Sequence, residues 1–121
     1  MRKPTRSNLA SSAVAAVLAC MTLIMPISAS ADAVEDGKKI AFDRKKGNCL
    51  ACHAIAGGSM PGNIGPPLVA MKARFPDKAK LRAQIWDATA KNANSMMPPF
   101  GKHKIISEKE IDKVVEFILT L

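Results

Sequence analysis

The chain has 121 residues, of which 48% are hydrophobic and 23% charged, and its formal net charge is +8 at pH 7. This length suffices for one small domain and not for two. The basic balance is not accompanied by a recognition-helix pattern or by interleaved aromatic residues, so it excludes nucleic acid as the expected partner and favours an acidic protein surface.

The first 31 residues have the pattern of a cleaved signal peptide. A basic start precedes an apolar run over residues 13–25, and small residues at Ala29 and Ala31 favour cleavage before Asp32. The apolar run is shorter than the roughly 20 residues that span a bilayer. We therefore predict a signal peptide over residues 1–31, export to the periplasm, one domain over residues 32–121, and no stable membrane anchor.

Cleavage would leave a less basic chain with two cysteines. The first 31 residues hold three of the 18 basic side chains and none of the 10 acidic ones, so residues 32–121 carry a net charge of about +5. Cys20 lies in the apolar run and would be removed with it. The position does not fit a lipoprotein cleavage site, because the chain stays apolar beyond Cys20 where a lipoprotein would turn polar. The remaining cysteines are Cys49 and Cys52.

Residues 32–121 alternate between helical patterns and two irregular segments. The patterns predict a helix over 34–46 capped by Asp32, a short helix over 68–74, a helix capped by Asp77 that runs to about Ala90, and a C-terminal helix that begins with a capping box of Ser107 and Glu110. No period-2 run of β-branched residues occurs, so the predicted fold class is all-α: helices packed around one cofactor, with long loops.

A covalently attached haem is predicted by the segment Cys49-Leu50-Ala51-Cys52-His53, which is the C-x-x-C-H attachment motif. Each thiol adds to a haem vinyl group, and His53 is then held beneath the iron as the proximal ligand. A thioredoxin-like dithiol would need a βαβ context, and a zinc site would need further Cys or His ligands. Haem also supplies the core that so few large apolar side chains cannot fill.

The other ring nitrogen of His53 needs a hydrogen-bond acceptor, which fixes the tautomer of a metal-binding histidine. Gly65-Pro66-Pro67-Leu68 resembles the Gly-Pro-x-Leu segment of small soluble cytochromes c, in which a backbone carbonyl is the acceptor. This resemblance makes the Pro66 carbonyl the candidate acceptor.

A sixth iron ligand is expected from one of several methionines. Met97 is favoured because the proline after it holds the loop extended, an arrangement similar to that of small cytochromes c, and Met96 is the rival. Met60 lies too close to His53 in sequence, and Met71 fits core packing better. His103 is flanked by lysines and is expected to face solvent.

Beyond the general cytochrome pattern, the chain resembles the sulfur-oxidation cytochrome family SoxX from about Gly37 to the C-terminus. The resemblance rests on the order of the segments Asn63-Ile64-Gly65-Pro66-Pro67-Leu68, Ala73-Arg74-Phe75-Pro76-Asp77, Leu81-Arg82, Ile85-Trp86-Asp87-Ala88-Thr89 and Met97-Pro98-Pro99-Phe100-Gly101-Lys102-His103. It implies one haem c, a SoxA-like cytochrome partner, a carrier protein of the SoxYZ type, and a downstream cytochrome that accepts electrons.

The resemblance further implies a role in an L-cysteine S-thiosulfotransferase, which joins thiosulfate oxidatively to a cysteine of the carrier. Bond formation is attributed to the partner, which agrees with the lack of any catalytic nucleophile after cleavage. Two other functions remain open at this point. One is a free soluble electron shuttle, and the other is a ligand-binding or peroxidase-like haem protein with an open sixth position.

Overall fold

A computed structural model describes residues 28–121, and all of its regular elements are helical. Four α-helices occur in this part of the chain, together with 3₁₀ turns at Cys49–Ala51 and Ala88–Ala90. The α-helices are α1 (Ser28–Phe42), α2 (Met71–Arg74), α3 (Lys78–Trp86) and α4 (Glu108–Ile118). The predicted all-α fold class is confirmed. The rest of the predicted signal peptide, residues 1–27, lies outside the described residues.

The bounds predicted for the first helix are wrong at both ends. The helix begins at Ser28 rather than at Val34, because the small residues before Asp32 continue the helix, and Asp32 therefore lies within it instead of capping it. It ends at Phe42 rather than at Lys46. Asp43 explains the early end, because its side chain accepts a hydrogen bond from the backbone N–H of Lys45 at 2.8 Å and so competes with the helical pattern.

The middle helices are shorter than predicted. α2 covers only Met71–Arg74, because Ala70 before it adopts a left-handed backbone with a φ of 51°. α3 has the predicted cap, since the Asp77 side chain accepts from the N–H of Ala79 at 2.9 Å. It stops at Trp86, where Asp87 starts a 3₁₀ turn by accepting from the backbone N–H of Thr89 at 3.0 Å.

The C-terminal helix has the predicted capping box. The Ser107 hydroxyl accepts from the N–H of Glu110 at 3.3 Å, and the Glu110 carboxylate accepts from the N–H of Ser107 at 2.9 Å. The apolar face of α4 is buried throughout, and the side chains of Ile111 and Val115 are fully enclosed. α4 is therefore the central element of the hydrophobic core.

α1 packs along α4 over most of its length. The contact is close at Gly37, where an added Cβ would lie 2.0 Å from the backbone oxygen of Lys113. Nearer the end of α1, the rings of Phe42 and Phe117 meet edge to face with centroids 5.8 Å apart. A side chain in place of Gly37 would separate the two helices.

The segment between α1 and α2 (residues 43–70) and the segment between α3 and α4 (residues 87–107) are long and largely irregular, as predicted. These are the two long loops. They are held by backbone hydrogen bonds to helix ends and turns rather than by regular structure of their own. Within residues 28–121, no helix has the length and apolar character needed to cross a membrane.

The stability of the fold should fall in acid through Glu110. The Lys46 ammonium and the Ser107 N–H and hydroxyl lower the pKa of Glu110 from 4.5 to about 2. Because the folded pKa is depressed, the stabilisation is complete above pH 4.5 and is lost as the pH falls toward 2. Urea unfolding across this range should show the decline. In Glu110→Gln it should be weaker, because Gln keeps the capping geometry without the charge, whereas the control Glu116→Gln should keep the full decline.

Candidate functional site

A cavity of about 780 Å³ lies between the helices and the two long loops. Its volume is within the ~300–1,000 Å³ typical of small-molecule and cofactor sites. The inner wall consists of core side chains from α2, α3 and α4: Met71, Leu81, Ile85, Val114 and Ile118. The predicted site residues Cys49, Cys52, His53, Pro66 and Met97 all line it. The fold thus brings these five predicted site residues to one cavity.

The two thiols lie on a tight helical turn at the wall of this cavity. Asn48 enters the turn with a left-handed φ of 47°, a conformation that Asn adopts more readily than most residues. The carbonyl oxygen of Cys49 then accepts from the N–H groups of Cys52 at 3.2 Å and His53 at 2.9 Å. This turn places both sulfurs and the imidazole at one side of the cavity, as the spacing of the motif predicts.

The two thiols form no disulfide, and one of them is largely buried. Burial raises the pKa of the Cys49 thiol to about 11, because an apolar wall disfavours the charged thiolate. Within residues 28–121, no three His, Cys, Asp or Glu side chains converge as they would around a metal ion.

The first long loop runs alongside the motif and is bonded to its backbone. Gly62 N–H donates to the carbonyl oxygen of Leu50 at 2.8 Å, and Gly65 N–H donates to that of Cys52 at 2.8 Å. Leu68 N–H donates to the Ala54 carbonyl at 2.9 Å. These bonds fix the position of residues 62–68 relative to the imidazole that they follow.

The imidazole of His53 is oriented by the backbone of this loop. Its Nδ1 lies 2.7 Å from the carbonyl oxygen of Pro66. A carbonyl oxygen can only accept, so Nδ1 carries a proton and donates, and in the neutral imidazole the lone pair then lies on Nε2. This is the tautomer that a metal-ligating histidine needs. The hydrogen bond expected between His53 and Pro66 is therefore present.

Glycine is the only residue type that fits at position 65, directly against the imidazole ring of His53. An added Cβ would lie 2.3 Å from His53 Cε1 and 2.6 Å from Nδ1, far inside normal contact distances. The backbone therefore approaches the imidazole face directly. Any side chain would displace either the ring or the segment that carries the Pro66 carbonyl.

The structure separates the two neighbouring methionines. Met97 is half-buried and packs against the core, whereas 75% of Met96 is exposed to solvent. Both line the cavity, but only Met97 is held in place by its surroundings, including a hydrogen bond from its N–H to the Ser95 hydroxyl at 3.2 Å. This geometry favours Met97 as the ligand. Met60 is 84% exposed, and Met71 is buried in the core.

Arg74 has a role that sequence reasoning missed. Its guanidinium donates to the carbonyl oxygen of Pro67 at 2.9 Å, next to the Pro66 carbonyl that binds His53. The side chain also lines the cavity. The sequence offered no signal for this bond beyond the position of Arg74 within the Ala73–Asp77 segment, because the contact depends on how α2 folds back on the loop.

The charged residues at the cavity are all basic. Arg44, Lys45, Lys46 and Arg74 line it, and among residues 28–121 no Asp or Glu does. A planar group with an apolar body and an anionic edge would match walls of this composition.

Two comparisons with known proteins find relatives of this chain. The family model of subunit III of the cbb3-type cytochrome c oxidase matches residues 32–118. Among solved structures, SoxXA from P. pantotrophus matches with a TM-score of 0.64 and 28% sequence identity, covering 71% of this chain and 79% of that chain. No curated protein sequence matches. The chain is thus similar to SoxXA, as its sequence motifs indicate, and both findings imply a haem.

The residues present fit that cofactor. The cavity combines apolar walls, two thiols on one turn, an imidazole with a free Nε2, and basic side chains without acidic ones. The thiols and His53 would attach and ligate the haem, and the basic residues would face its carboxylates. The role of Met97 as sixth ligand remains a prediction.

Replacing each methionine separately tests this assignment. Met97→Ala should abolish the near-infrared charge-transfer band of a methionine bound to Fe(III) and lower the reduction potential, because a thioether favours Fe(II). The haem should stay attached. Met96→Ala is the matched control and should change neither quantity; loss of the band in that variant instead would make Met96 the ligand.

Gly65→Ala tests the approach of the backbone to His53. The added methyl group should break the Nδ1–Pro66 hydrogen bond and reduce the yield of holoprotein, measured as the ratio of haem absorbance to protein. Gly37→Ala serves as the control, because its Cβ would clash with the backbone oxygen of Lys113 at 2.0 Å without meeting His53 or the loop that carries Pro66. Equal holoprotein yields in the two variants would contradict this prediction.

Proposed function

The chain belongs to the c-type cytochrome family named for subunit III of the cbb3-type cytochrome c oxidase. From this membership and the similarity to SoxXA, we propose that it is an exported, monohaem electron carrier of the SoxX kind. It would act in the periplasm after removal of residues 1–31. Its haem c would be bound covalently by Cys49 and Cys52, and His53 and Met97 would ligate the iron. The observation that carries the proposal is the cavity in which these four side chains meet.

The residues of the chain prepare the site for electron transfer rather than for substrate binding. A bound haem supplies a one-electron redox couple. His53 is oriented by its hydrogen bond to Pro66, and Met97 would supply a second protein ligand to the iron. The apolar walls would limit contact between a bound haem and water. An iron with two protein ligands would favour electron transfer over peroxidase-like chemistry.

The proposed reaction is the oxidative joining of thiosulfate to a cysteine thiol of a SoxYZ-type carrier protein. Forming that sulfur–sulfur bond releases two electrons and the thiol proton. Haem chemistry is a one-electron couple, so this reaction would need two successive transfers through this chain. The proposal therefore requires a SoxA-like subunit, where the bond forms, and a downstream cytochrome that accepts electrons.

The absence of a catalytic thiol in the exported chain supports this division of labour. Cys49 and Cys52 are the only cysteines of residues 32–121, and both would be consumed as thioethers. The similarity to SoxXA supports association with a SoxA-like protein. The free soluble shuttle is the second candidate, and the basic residues along the cavity favour it, because they could attract many acidic partners.

Reconstitution with a SoxA-like protein and a thiol carrier distinguishes these functions. The holoprotein should co-elute with the SoxA-like protein in size-exclusion chromatography at high salt, and thiosulfate should reduce its haem only when partner and carrier are both present. A free shuttle would separate from the partner at high salt, because screening removes attraction between exposed charges. Failure both to bind the partner and to be reduced would reject the SoxX-like role.

A further inference from the structure

The loop that carries Met97 is anchored to the end of α3 through Trp86. The backbone N–H of Gly101 donates to the carbonyl oxygen of Trp86 at 3.1 Å, and that of Lys102 reaches the same oxygen at 3.3 Å. That oxygen lies at the C-terminus of α3, where carbonyl groups lack partners within the helix. The N–H groups of the loop therefore satisfy a carbonyl oxygen at the end of α3, and the same hydrogen bonds fix the position of the loop.

The same loop also lies directly against the indole ring. An added Cβ at Gly101 would lie 2.0 Å from Cε3 and 2.3 Å from Cδ2 of Trp86. Gly101 is buried in this contact. Only glycine allows the backbone to approach the ring so closely, so any other residue would push the loop away from α3.

A second tether lies one residue further on. The ammonium of Lys102 is 2.9 Å from Asp87 Oδ2, beside Trp86 at the end of α3. Asp87 also accepts from the Thr89 hydroxyl, and these bonds lower the pKa of Asp87. The carboxylate is therefore ionised at neutral pH and keeps its partner.

The ring of Trp86 is held in turn by α4. The guanidinium carbon of Arg82 lies 5.5 Å from the ring centroid. Arg82 donates to Asp112 Oδ1 at 2.6 Å and to Glu108 Oε2 at 3.1 Å. A continuous series of contacts thus runs from the C-terminal helix through Arg82 and Trp86 to Gly101.

Between Gly101 and Met97 the chain has little freedom. Pro98 and Pro99 have fixed φ angles, and Phe100 is buried in the core. The N–H of Ile105 closes the turn by donating to the Phe100 carbonyl at 2.9 Å. A shift of Gly101 is therefore transmitted to Met97 rather than absorbed between them.

We propose that Trp86 and Gly101 are positioning residues for the Met97 sulfur. The contact of Gly101 with the ring and carbonyl of Trp86 sets where the loop presents Met97 to the cavity. This inference rests on the proposed haem coordination, although it does not depend on thiosulfate or on any partner protein. Its consequence is that the strength of Met97 ligation is determined at the end of α3 and not only in the ligand loop.

Competition with imidazole for the ferric iron measures how firmly Met97 is held. In holoprotein of Gly101→Ala, we expect imidazole to bind about tenfold more tightly, within the usual range of a coupling between sites, and the near-infrared methionine band to weaken. Gly37→Ala is the matched control. Its Cβ meets the backbone oxygen of Lys113 at the same 2.0 Å, so it destabilises the α1–α4 contact without touching the Met97 loop.

The control separates positioning from loss of overall stability. Both variants should unfold at lower urea concentration, but imidazole affinity should rise only in Gly101→Ala. An unchanged affinity in Gly101→Ala, or an equal rise in Gly37→Ala, would overturn the inference. A wild-type holoprotein without the near-infrared band would instead show that Met97 is not a ligand and would overturn the proposed coordination as well.

Milder variants keep the test decisive if Gly101→Ala does not fold. Lys102→Ala removes the tether to Asp87 and should raise imidazole affinity in the same direction by a smaller factor. Lys80→Ala removes an equal charge from the exposed face of α3 and should leave the affinity unchanged. Equal affinities for Lys102→Ala, Lys80→Ala and wild type would count against positioning. In a Trp86→Ala background, adding Gly101→Ala should cause little further change, because the ring that it meets is gone.

Discussion

The fold depends on a cavity that its own side chains do not fill. Leu81, Ile85, Val114 and Ile118 belong to the hydrophobic core, yet the same side chains also form the wall of the 780 Å³ cavity. A haem bound there would give these walls dispersion contacts and remove them from water. It would complete the core as well as provide the redox centre, so cofactor attachment would be coupled to folding stability.

The loops that carry Pro66 and Met97 are positioned by different means. The loop with Pro66 is bonded to the backbone of the attachment motif, only a few residues away in sequence. The loop with Met97 depends on α3 and, through Arg82, on α4. The histidine side is therefore organised locally, whereas the methionine side requires the tertiary structure.

The acidic side chains of α4 are paired with basic residues from other parts of the chain. Glu110 and Glu116 of α4 bind Lys46 and Lys78, and Asp112 binds Arg82. Each exposed pair contributes little to stability, but together they hold acidic groups of α4 on its outer side, and none lines the cavity. The basic side chains that remain at the cavity match anionic groups, whether the haem carboxylates or an acidic surface of a partner.

The sequence by itself determined the chemistry that depends on neighbouring residues. C-x-x-C-H predicts thioethers and a proximal ligand within one turn, the Gly65–Leu68 segment indicates the acceptor of His53, and the capping box marks the start of α4. Only the tertiary structure decided what depends on distant residues. Met96 and Met97 have the same chemistry, and they differ in burial because only Met97 packs against the core. Arg74, Trp86 and Gly101 acquire their contacts only when α2 and α3 fold against the loops. The predicted helix ends are wrong at Asp43 and Ala70 for a related reason. A side chain that accepts a hydrogen bond from a nearby backbone N–H has only a weak signal in the sequence, and so does a residue with a left-handed backbone.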